Sequence, residues 1–145
     1  MLKLTLEAAG KVKAALSQGL EGYDRVVKDG ERERVVREPY KFDAGLRLAL
    51  AMLENRVDVL IADYNKARSA LIKSLADGGA KVPDEKMSEF IEQHQVLLDK
   101  ECEINDVGRI KTSELALDKN PISASVLALL MPVLKVDSVS AAKAE

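Results

Sequence analysis

One long stripe of apolar residues constrains this chain more than any other feature of its sequence. Within residues 43–75, apolar or small side chains recur at steps of four and three, at Leu46, Leu50, Leu53, Val57, Leu60, Tyr64, Ala67 and Leu71. This spacing is typical of a helix that packs along its length against another helix. The segment contains no proline, and its one glycine, Gly45, lies in the first turn. We therefore expect a continuous helix about 48 Å long, with Asp43 as its N-cap.

A second helix is predicted soon after the first, because a short glycine-containing break separates two apolar patterns. Asp77-Gly78-Gly79 suits the end of one helix, and Pro83 suits the first turn of the next. The second pattern comprises Met87, Ile91, His94 and Leu98, with Phe90 and Leu97 beside them. The short connection favours an antiparallel helical hairpin. Because the second helix is shorter, residues 46–57 need another cover: the N-terminal helix, the C-terminal helix or a second copy.

A charged β-hairpin arm is predicted at about residues 20–41. Asp29-Gly30 lies there between two runs that contain β-branched valines, and this pattern is a hairpin signal. A two-residue turn at Asp29-Gly30 places Val26 opposite Glu33, whereas a longer loop pairs the valines with each other. The runs are heavily charged, so we expect the arm to be exposed.

The two ends of the chain contain shorter elements. Residues 2–6 alternate, which favours a short strand, although Thr5 is also a suitable cap for a helix over residues 6–17. Near the other end, the patterns suggest short strands on either side of residues 105–108, a buried helix over residues 124–131 with Ser123 as its cap, and a flexible tail over residues 136–145. The predicted fold is a mainly α single domain over residues 1–135, a long antiparallel helical hairpin with N- and C-terminal helices and the small exposed arm.

Composition argues against several classes of protein. The chain has 22 basic and 24 acidic residues and only 3% aromatic residues, which argues against nucleic-acid binding. Its one cysteine, Cys102, excludes an internal disulfide, and we expect it to be a buried small hydrophobe. The longest apolar stretch, residues 126–134, is too short to span a membrane, and the N-terminus does not resemble a signal peptide. We expect a soluble protein of the cytoplasm.

No pattern predicts a catalytic, cofactor-binding or metal-binding residue. His94, the only histidine, lies in the apolar stripe of the second helix, so we interpret it as a packed or hydrogen-bonded side chain. Its separation from Cys102, about 12 Å if the helix continues, is too large for a nucleophile and its base. Two acidic groups have no known metal-binding spacing, and we interpret them as solvated: Asp84, Glu85, Glu89 and Glu92, and Asp99, Glu101, Glu103 and Asp106.

The candidate functional residues are therefore those of protein contacts. We predict two contact surfaces, the arm and the uncovered part of the long helix, with these members: Arg25, Arg32, Arg34, Arg37, Leu46, Leu50, Leu53 and Val57. The mixed charges of the arm suit solubility and protection of a strand edge. They also suit a specific protein contact with a charged rim, whereas the acids of the arm oppose contact with nucleic acid.

Four segments resemble a set of small, mainly helical proteins of unknown function that tailed bacteriophages encode. They are residues 2–6 at the start, 39–42 before the long helix, 87–91 at the second helix and the apolar residues 122–134. The charged residues 20–38 depart from the simplest form of that pattern. The resemblance implies a phage or prophage product that works through protein contacts, and it identifies no functional residue.

These observations lead to three functional hypotheses. The first is a non-enzymatic interaction or assembly protein that associates with itself, such as a particle or tail-assembly component, located in the bacterial cytoplasm or the virion. The second is a phage inhibitor that binds a host defence complex. The third, weakest hypothesis is an enzyme or metal protein that uses His94 or the acidic groups.

Overall fold

The computed structural model describes residues 2–137, which are mainly helical, and this confirms the predicted fold class at that level. The α-helices of the described part are α1 (Leu6–Ala14), α2 (Ala44–Ala76), α3 (Met87–Asp99) and α4 (Ala124–Leu130). A π-helical turn, Ala15–Gly19, follows α1. Single turns of 3₁₀-helix occur at Asp84–Lys86, Thr112–Leu115 and Met131–Val133.

Among the described residues, six short strands pair two by two. β1 (Leu2–Thr5) is antiparallel to β4 (Glu101–Ile104), β2 (Tyr23–Asp29) is antiparallel to β3 (Arg32–Glu38), and β5 (Ile110–Lys111) is parallel to β6 (Leu134–Lys135). The strands on either side of residues 105–108 thus each pair with a segment that is distant in sequence. These two pairings hold the N- and C-terminal ends of the described chain against its middle.

Side-chain caps define where three of the helices begin. The Ala8 N–H donates to Thr5 Oγ1 over 3.1 Å, and the Leu46 N–H donates to Asp43 Oδ1 over 2.7 Å. The predicted caps are confirmed, because each oxygen satisfies an amide that has no partner within its own helix. The third cap is Ser123, whose Oγ accepts from the Val126 N–H over 3.3 Å. At the N-terminus the predicted strand and the predicted helix cap are both correct, since Thr5 is the last residue of β1 and also caps α1.

The core lies where α1 crosses the first half of α2. Leu46, Leu53 and Val57 of α2 are at most 2% exposed, and they share one cluster with Val12 of α1 and Val133 near the C-terminus. The cover that the stripe requires is therefore supplied mainly by α1 of the same chain. A helix 33 residues long is stabilised at this end by burial of its apolar face.

Helix α3 packs with only part of the face that was predicted. Met87 and Ile91 are 38% and 61% exposed, whereas Phe90, His94 and Leu97 are half-buried. The Phe90 and His94 rings stack with centroids 5.4 Å apart, and His94 Nε2 lies 2.6 Å from the Tyr64 hydroxyl oxygen of α2, so it is the aromatic side of α3 that contacts α2. Of the predicted stripe, His94 and Leu98 are half-buried as expected, whereas the prediction of Met87 and Ile91 as packing positions is wrong.

Two predictions of burial are also corrected. Within α4 only Leu130 is buried, and Met131 just after it is 54% exposed, because the helix lies at the surface with one face against α1. Cys102 is half-buried and not fully buried, with its Sγ 3.9 Å from the Lys100 carbonyl oxygen. Of the predicted tail, Asp137 accepts a hydrogen bond from Thr112 Oγ1 over 3.0 Å. Residues 138–145 lie outside the described residues.

Asn120 joins two loops inside the core. It is the only polar side chain that is buried among residues 2–137, at 1% exposure. Its Oδ1 accepts from the Lys41 N–H over 2.7 Å, and its Nδ2 donates to the Lys41 and Leu115 carbonyl oxygens over 3.1 and 2.8 Å. These bonds connect the segment that leads into α2 with the segment that leads into α4, so one amide group fixes both.

Candidate protein-interaction surface

The arm is the paired strands β2 and β3 with their turn, residues 23–38. Asp29 is paired with Arg32, so the turn residues are Gly30 and Glu31 and not the predicted Asp29 and Gly30. Gly30 has a φ of 67°, a value that suits glycine at the first position of a type II′ turn. As a result Val26 faces Val35. Of the two registers that the sequence left open, the pairing of the valines is correct, although a two-residue turn and not a longer loop connects the strands, and the pairing of Val26 with Glu33 is wrong.

Charge explains why this register is preferred. The observed pairing places Asp24 opposite Arg37 and Lys28 opposite Glu33. A turn at Asp29-Gly30 would instead place Arg25 opposite Arg34, and like charges that face each other destabilise a strand pair. Cross-strand charge matching is therefore the signal in the sequence from which the register could have been found.

Both faces of the arm are accessible. Every residue of Arg32–Glu38 except the last is exposed, and in Tyr23–Asp29 only two residues are half-buried. Val26 and Val35, which face each other, are 61% and 66% exposed. Burial of a valine side chain is favourable by about 1.5–3 kcal/mol. The exposed pair is therefore apolar surface that a partner could cover.

An aromatic cluster anchors the arm at its base. The Tyr23 and Tyr40 rings have centroids 5.4 Å apart, and Tyr40 stacks on Phe42 at 5.6 Å. Tyr40 is buried, and this burial raises the pKa of its hydroxyl above the ordinary value. Gly22 lies beside the cluster, where a Cβ would come within 2.6 Å of the Glu38 carbonyl oxygen. The base is thus packed closely while the rest of the arm extends from it.

The four arginine candidates lie on the arm, but they occupy two faces. Opposite residues of an antiparallel pair share a face and successive residues alternate, so Arg25, Arg32 and Arg34 share one face and Arg37 lies on the other. Arg25 Nε is 3.0 Å from Glu38 Oε2. Arg37 Nη1 is 3.2 Å from an Asp24 carboxylate oxygen. The structure therefore places the four arginines on both faces of one ribbon, with Arg25 and Arg37 paired to carboxylates, and not in one basic patch.

The four candidates on α2 are not at the surface. Leu46, Leu53 and Val57 are buried, and Leu50 is half-buried against the same core. They therefore stabilise the fold, and the prediction that they form a contact surface is wrong. The sequence pattern could not separate the two roles, because a stripe that packs on its own chain has the same spacing as one that packs on a partner.

His94 is packed and hydrogen-bonded, as predicted. Its Nε2 lies 2.6 Å from the Tyr64 hydroxyl oxygen, and its ring stacks on Phe90. A hollow of about 170 Å³ lies nearby, and Tyr64, Lys100 and Cys102 line part of its wall. The imidazole thus has a phenol as its hydrogen-bond partner, while the hydrogen bond of the Cys102 thiol goes to a backbone carbonyl.

The acidic groups of α3 and β4 are solvated or paired with cations. Lys3 Nζ lies 3.8 and 3.9 Å from carboxylate oxygens of Glu101 and Glu103. Arg56 Nε lies 2.9 and 3.1 Å from the two oxygens of Asp106, an ion pair that connects α2 to the loop after β4. Within residues 2–137, no group of three or more His, Cys, Asp or Glu side chains has an arrangement suited to a metal ion. Nor does any helix within residues 2–137 combine the length and the apolar character that a membrane span requires.

The Arg56–Asp106 pair predicts a pH-dependent effect on stability. The Arg56 guanidinium holds the pKa of the Asp106 carboxyl below its ordinary value of 3.8. A carboxyl with a lowered folded-state pKa stabilises the fold above its unfolded-state pKa, and this contribution is lost as the pH falls through the folded-state value. Asp106→Asn should therefore lower the melting temperature at neutral pH, and the difference from wild type should shrink as the pH falls below 3.8.

Thermal melts across this pH range test that expectation. Asp63→Asn is the matched control, since Asp63 is an exposed aspartate of α2. Equal destabilisation by Asp106→Asn at neutral and acidic pH would contradict the role given to this ion pair.

Comparisons with known proteins identify no relative of this chain. No family model, no curated protein and no solved structure matches it.

Proposed function

We propose that this chain is a non-enzymatic protein-interaction or assembly protein, and that the arm is its contact element. The observation that supports this most is the exposed Val26–Val35 pair at the centre of a ribbon with both faces accessible. An isolated two-stranded ribbon is only marginally stable in water. A partner that covers the valines and pairs with an edge strand would stabilise the arm as it binds.

The finer architecture is part of this proposal. We treat α2 and α3 as a long antiparallel helical hairpin. The contact of Tyr64 with His94 supports this, as does a groove in which Leu71 and Ser74 of α2 lie near Gln93 and Val96 of α3. The resemblance to tailed-phage proteins favours particle or tail assembly as the setting, in the bacterial cytoplasm or the virion.

Site-specific photo-crosslinking tests the role of the arm. A photoreactive amino acid is placed at Val26 of the arm or at Val59 of α2, which are 61% and 57% exposed and so form a matched pair. In the cell that carries the gene, we expect covalent protein adducts from position 26 and few from position 59. Adducts from position 59 with none from position 26 would overturn the proposal.

The masses of the adducts separate the two interaction hypotheses. Adducts with the chain itself or with proteins of a phage particle support assembly. A single stoichiometric host enzyme among the adducts would contradict assembly and support an inhibitor of a host defence complex.

A further inference from the structure

The outer edge of β3 has a defined set of unpaired backbone groups. Asp29 and Arg32 flank a two-residue turn and so form a hydrogen-bonded pair, and such pairs alternate with non-hydrogen-bonded ones along the ladder. The N–H and C=O groups of Glu33, Val35 and Arg37 therefore point away from β2. These three residues are exposed, so the edge is accessible to another strand.

The sequence of β3 is complementary to itself. When two copies of β3 run antiparallel about a two-fold axis at Val35, Arg32 faces the partner's Glu38 and Glu33 faces the partner's Arg37. Symmetry repeats each pair, so four opposite-charge pairs flank a central pair of Val35 residues. The outward backbone groups of Glu33, Val35 and Arg37 then meet the same groups of the partner, as a hydrogen-bonded ladder requires.

Neighbouring registers lose this complementarity. A two-fold axis between Val35 and Val36 would place Glu33 opposite the partner's Glu38. It would also place outward backbone groups opposite residues whose backbone groups point inward. A centre on Arg34 places that arginine opposite itself. A centre on Val36 keeps only two opposite-charge pairs, those of Arg34 with the partner's Glu38. Charged residues usually protect a strand edge from pairing, but at this edge their order favours one register of a single partner strand.

Because β2 pairs with β3 within each arm, the complementarity of the side chains extends across all four strands. Val26, Val35 and the same two residues of the partner form one continuous row of valines on one face. The row beside it reads Asp24, Arg37, the partner's Glu33 and the partner's Lys28, so its charges alternate in sign. Cross-strand pairs of opposite charge and of β-branched residues are those that stabilise a sheet. The exposed valine pair thereby becomes the centre of a larger apolar strip.

Strand β2 is a weaker candidate for the same role. Two copies of β2 paired about Val26 would match Asp24 with the partner's Lys28, which gives two opposite-charge pairs by symmetry. Pairing of β2 with β3 of the next molecule is heterologous and leaves unpaired edges, so it leads to open chains. The β3 edge has the largest number of matched charges and closes on itself.

We propose that two copies of this chain dimerise through their β3 edges, in the register centred on Val35, to form a four-stranded intermolecular sheet. This inference rests on the proposed function, since it names the partner of the arm as a second copy.

Charge exchange at constant net charge tests the register. The double variant Lys28→Glu/Glu33→Lys keeps an opposite-charge pair within each arm. Across the interface, however, position 33 becomes basic and lies opposite the partner's Arg37, and symmetry repeats this like-charge pair. Sedimentation equilibrium should show dimerisation about tenfold weaker than wild type or more. Adding Asp24→Lys/Arg37→Glu restores opposite charges across the interface, and the dissociation constant should return to within about threefold of wild type.

Disulfide trapping gives a second, independent measurement in a Cys102→Ser background. Val35→Cys places two thiols on residues whose Cα atoms are about 5.5 Å apart, within the range for a disulfide. Val26→Cys has similar exposure, but its two copies are about 14 Å apart, three strand spacings. Mild oxidation should give a covalent dimer from position 35 and monomer from position 26. Circular dichroism of each variant verifies that the fold is retained.

The inference is overturned if the wild type is monomeric at high micromolar concentration, if the double variant dimerises as tightly as wild type, or if position 26 and not position 35 forms the disulfide. A monomer whose position 26 still crosslinks to other proteins leaves the proposed function standing. Absence of crosslinks from position 26 contradicts the proposed function itself.

Discussion

Leu53→Ala is expected to lower the free energy of unfolding by about 2–5 kcal/mol, whereas Leu48→Ala should change it by less than about 0.5 kcal/mol. Both leucines lie on α2, but Leu53 is 0% exposed and Leu48 is 63% exposed. The alanine at position 53 loses apolar burial and leaves a cavity between α2 and α1. The exposed position loses neither.

Urea denaturation at low micromolar protein concentration measures both effects, with unfolding followed by circular dichroism. The comparison distinguishes a core stripe from a contact stripe. If Leu53→Ala unfolds at the wild-type urea concentration but prevents association, the stripe of α2 is an interface and the assignment of its residues to the core is wrong.

Asn120→Ala should have the second-largest effect, a loss of about 2–4 kcal/mol of stability. The substitution removes three hydrogen bonds and leaves the backbone groups of Lys41 and Leu115 without this partner. A buried polar group that loses its partner costs about 1–3 kcal/mol. Because the amide connects the segments before α2 and α4, the loss should loosen both.

Asn65→Ala is the matched control, because Asn65 is an exposed asparagine of α2. It should leave the midpoint of urea denaturation nearly unchanged. Hydrogen exchange should also show faster exchange of the Lys41 N–H in Asn120→Ala. A variant at position 120 as stable as the control would mean that the two loops are held together by other contacts.

Local patterns in the sequence identified those parts of the fold that depend on neighbouring residues. The α2 stripe and the caps at Thr5, Asp43 and Ser123 depend on spacing and on a side-chain oxygen next to free amides. What covers the stripe depends on the path of the whole chain. The sequence was compatible with three covers, and in the structure the main one is α1. The pairing of β1 with β4 joins distant segments and has no local signal.

Where prediction failed, two patterns of similar strength overlapped. In α3, one stripe contains Met87 and Ile91 and another contains Phe90 and Leu97, and His94 belongs to both. Helical period alone does not choose between them; in the structure Phe90 stacks on His94, which contacts Tyr64 of α2, while Ile91 is 61% exposed. In the arm, the Asp-Gly pair fits more than one turn position, and the cross-strand charges decide the register. Asn120 has no local signal in the sequence, because the Lys41 backbone that it binds lies 79 residues away.

Hydrogen exchange as a function of protein concentration tests the central claim that the arm makes the protein contacts of this chain while the α2 stripe forms its core. Raising the concentration from below to above the association range should slow exchange at the amides of Glu33, Val35 and Arg37. Exchange in α2 and α3 should stay unchanged. Slower exchange along α2 or α3, with no change in the arm, would contradict the account.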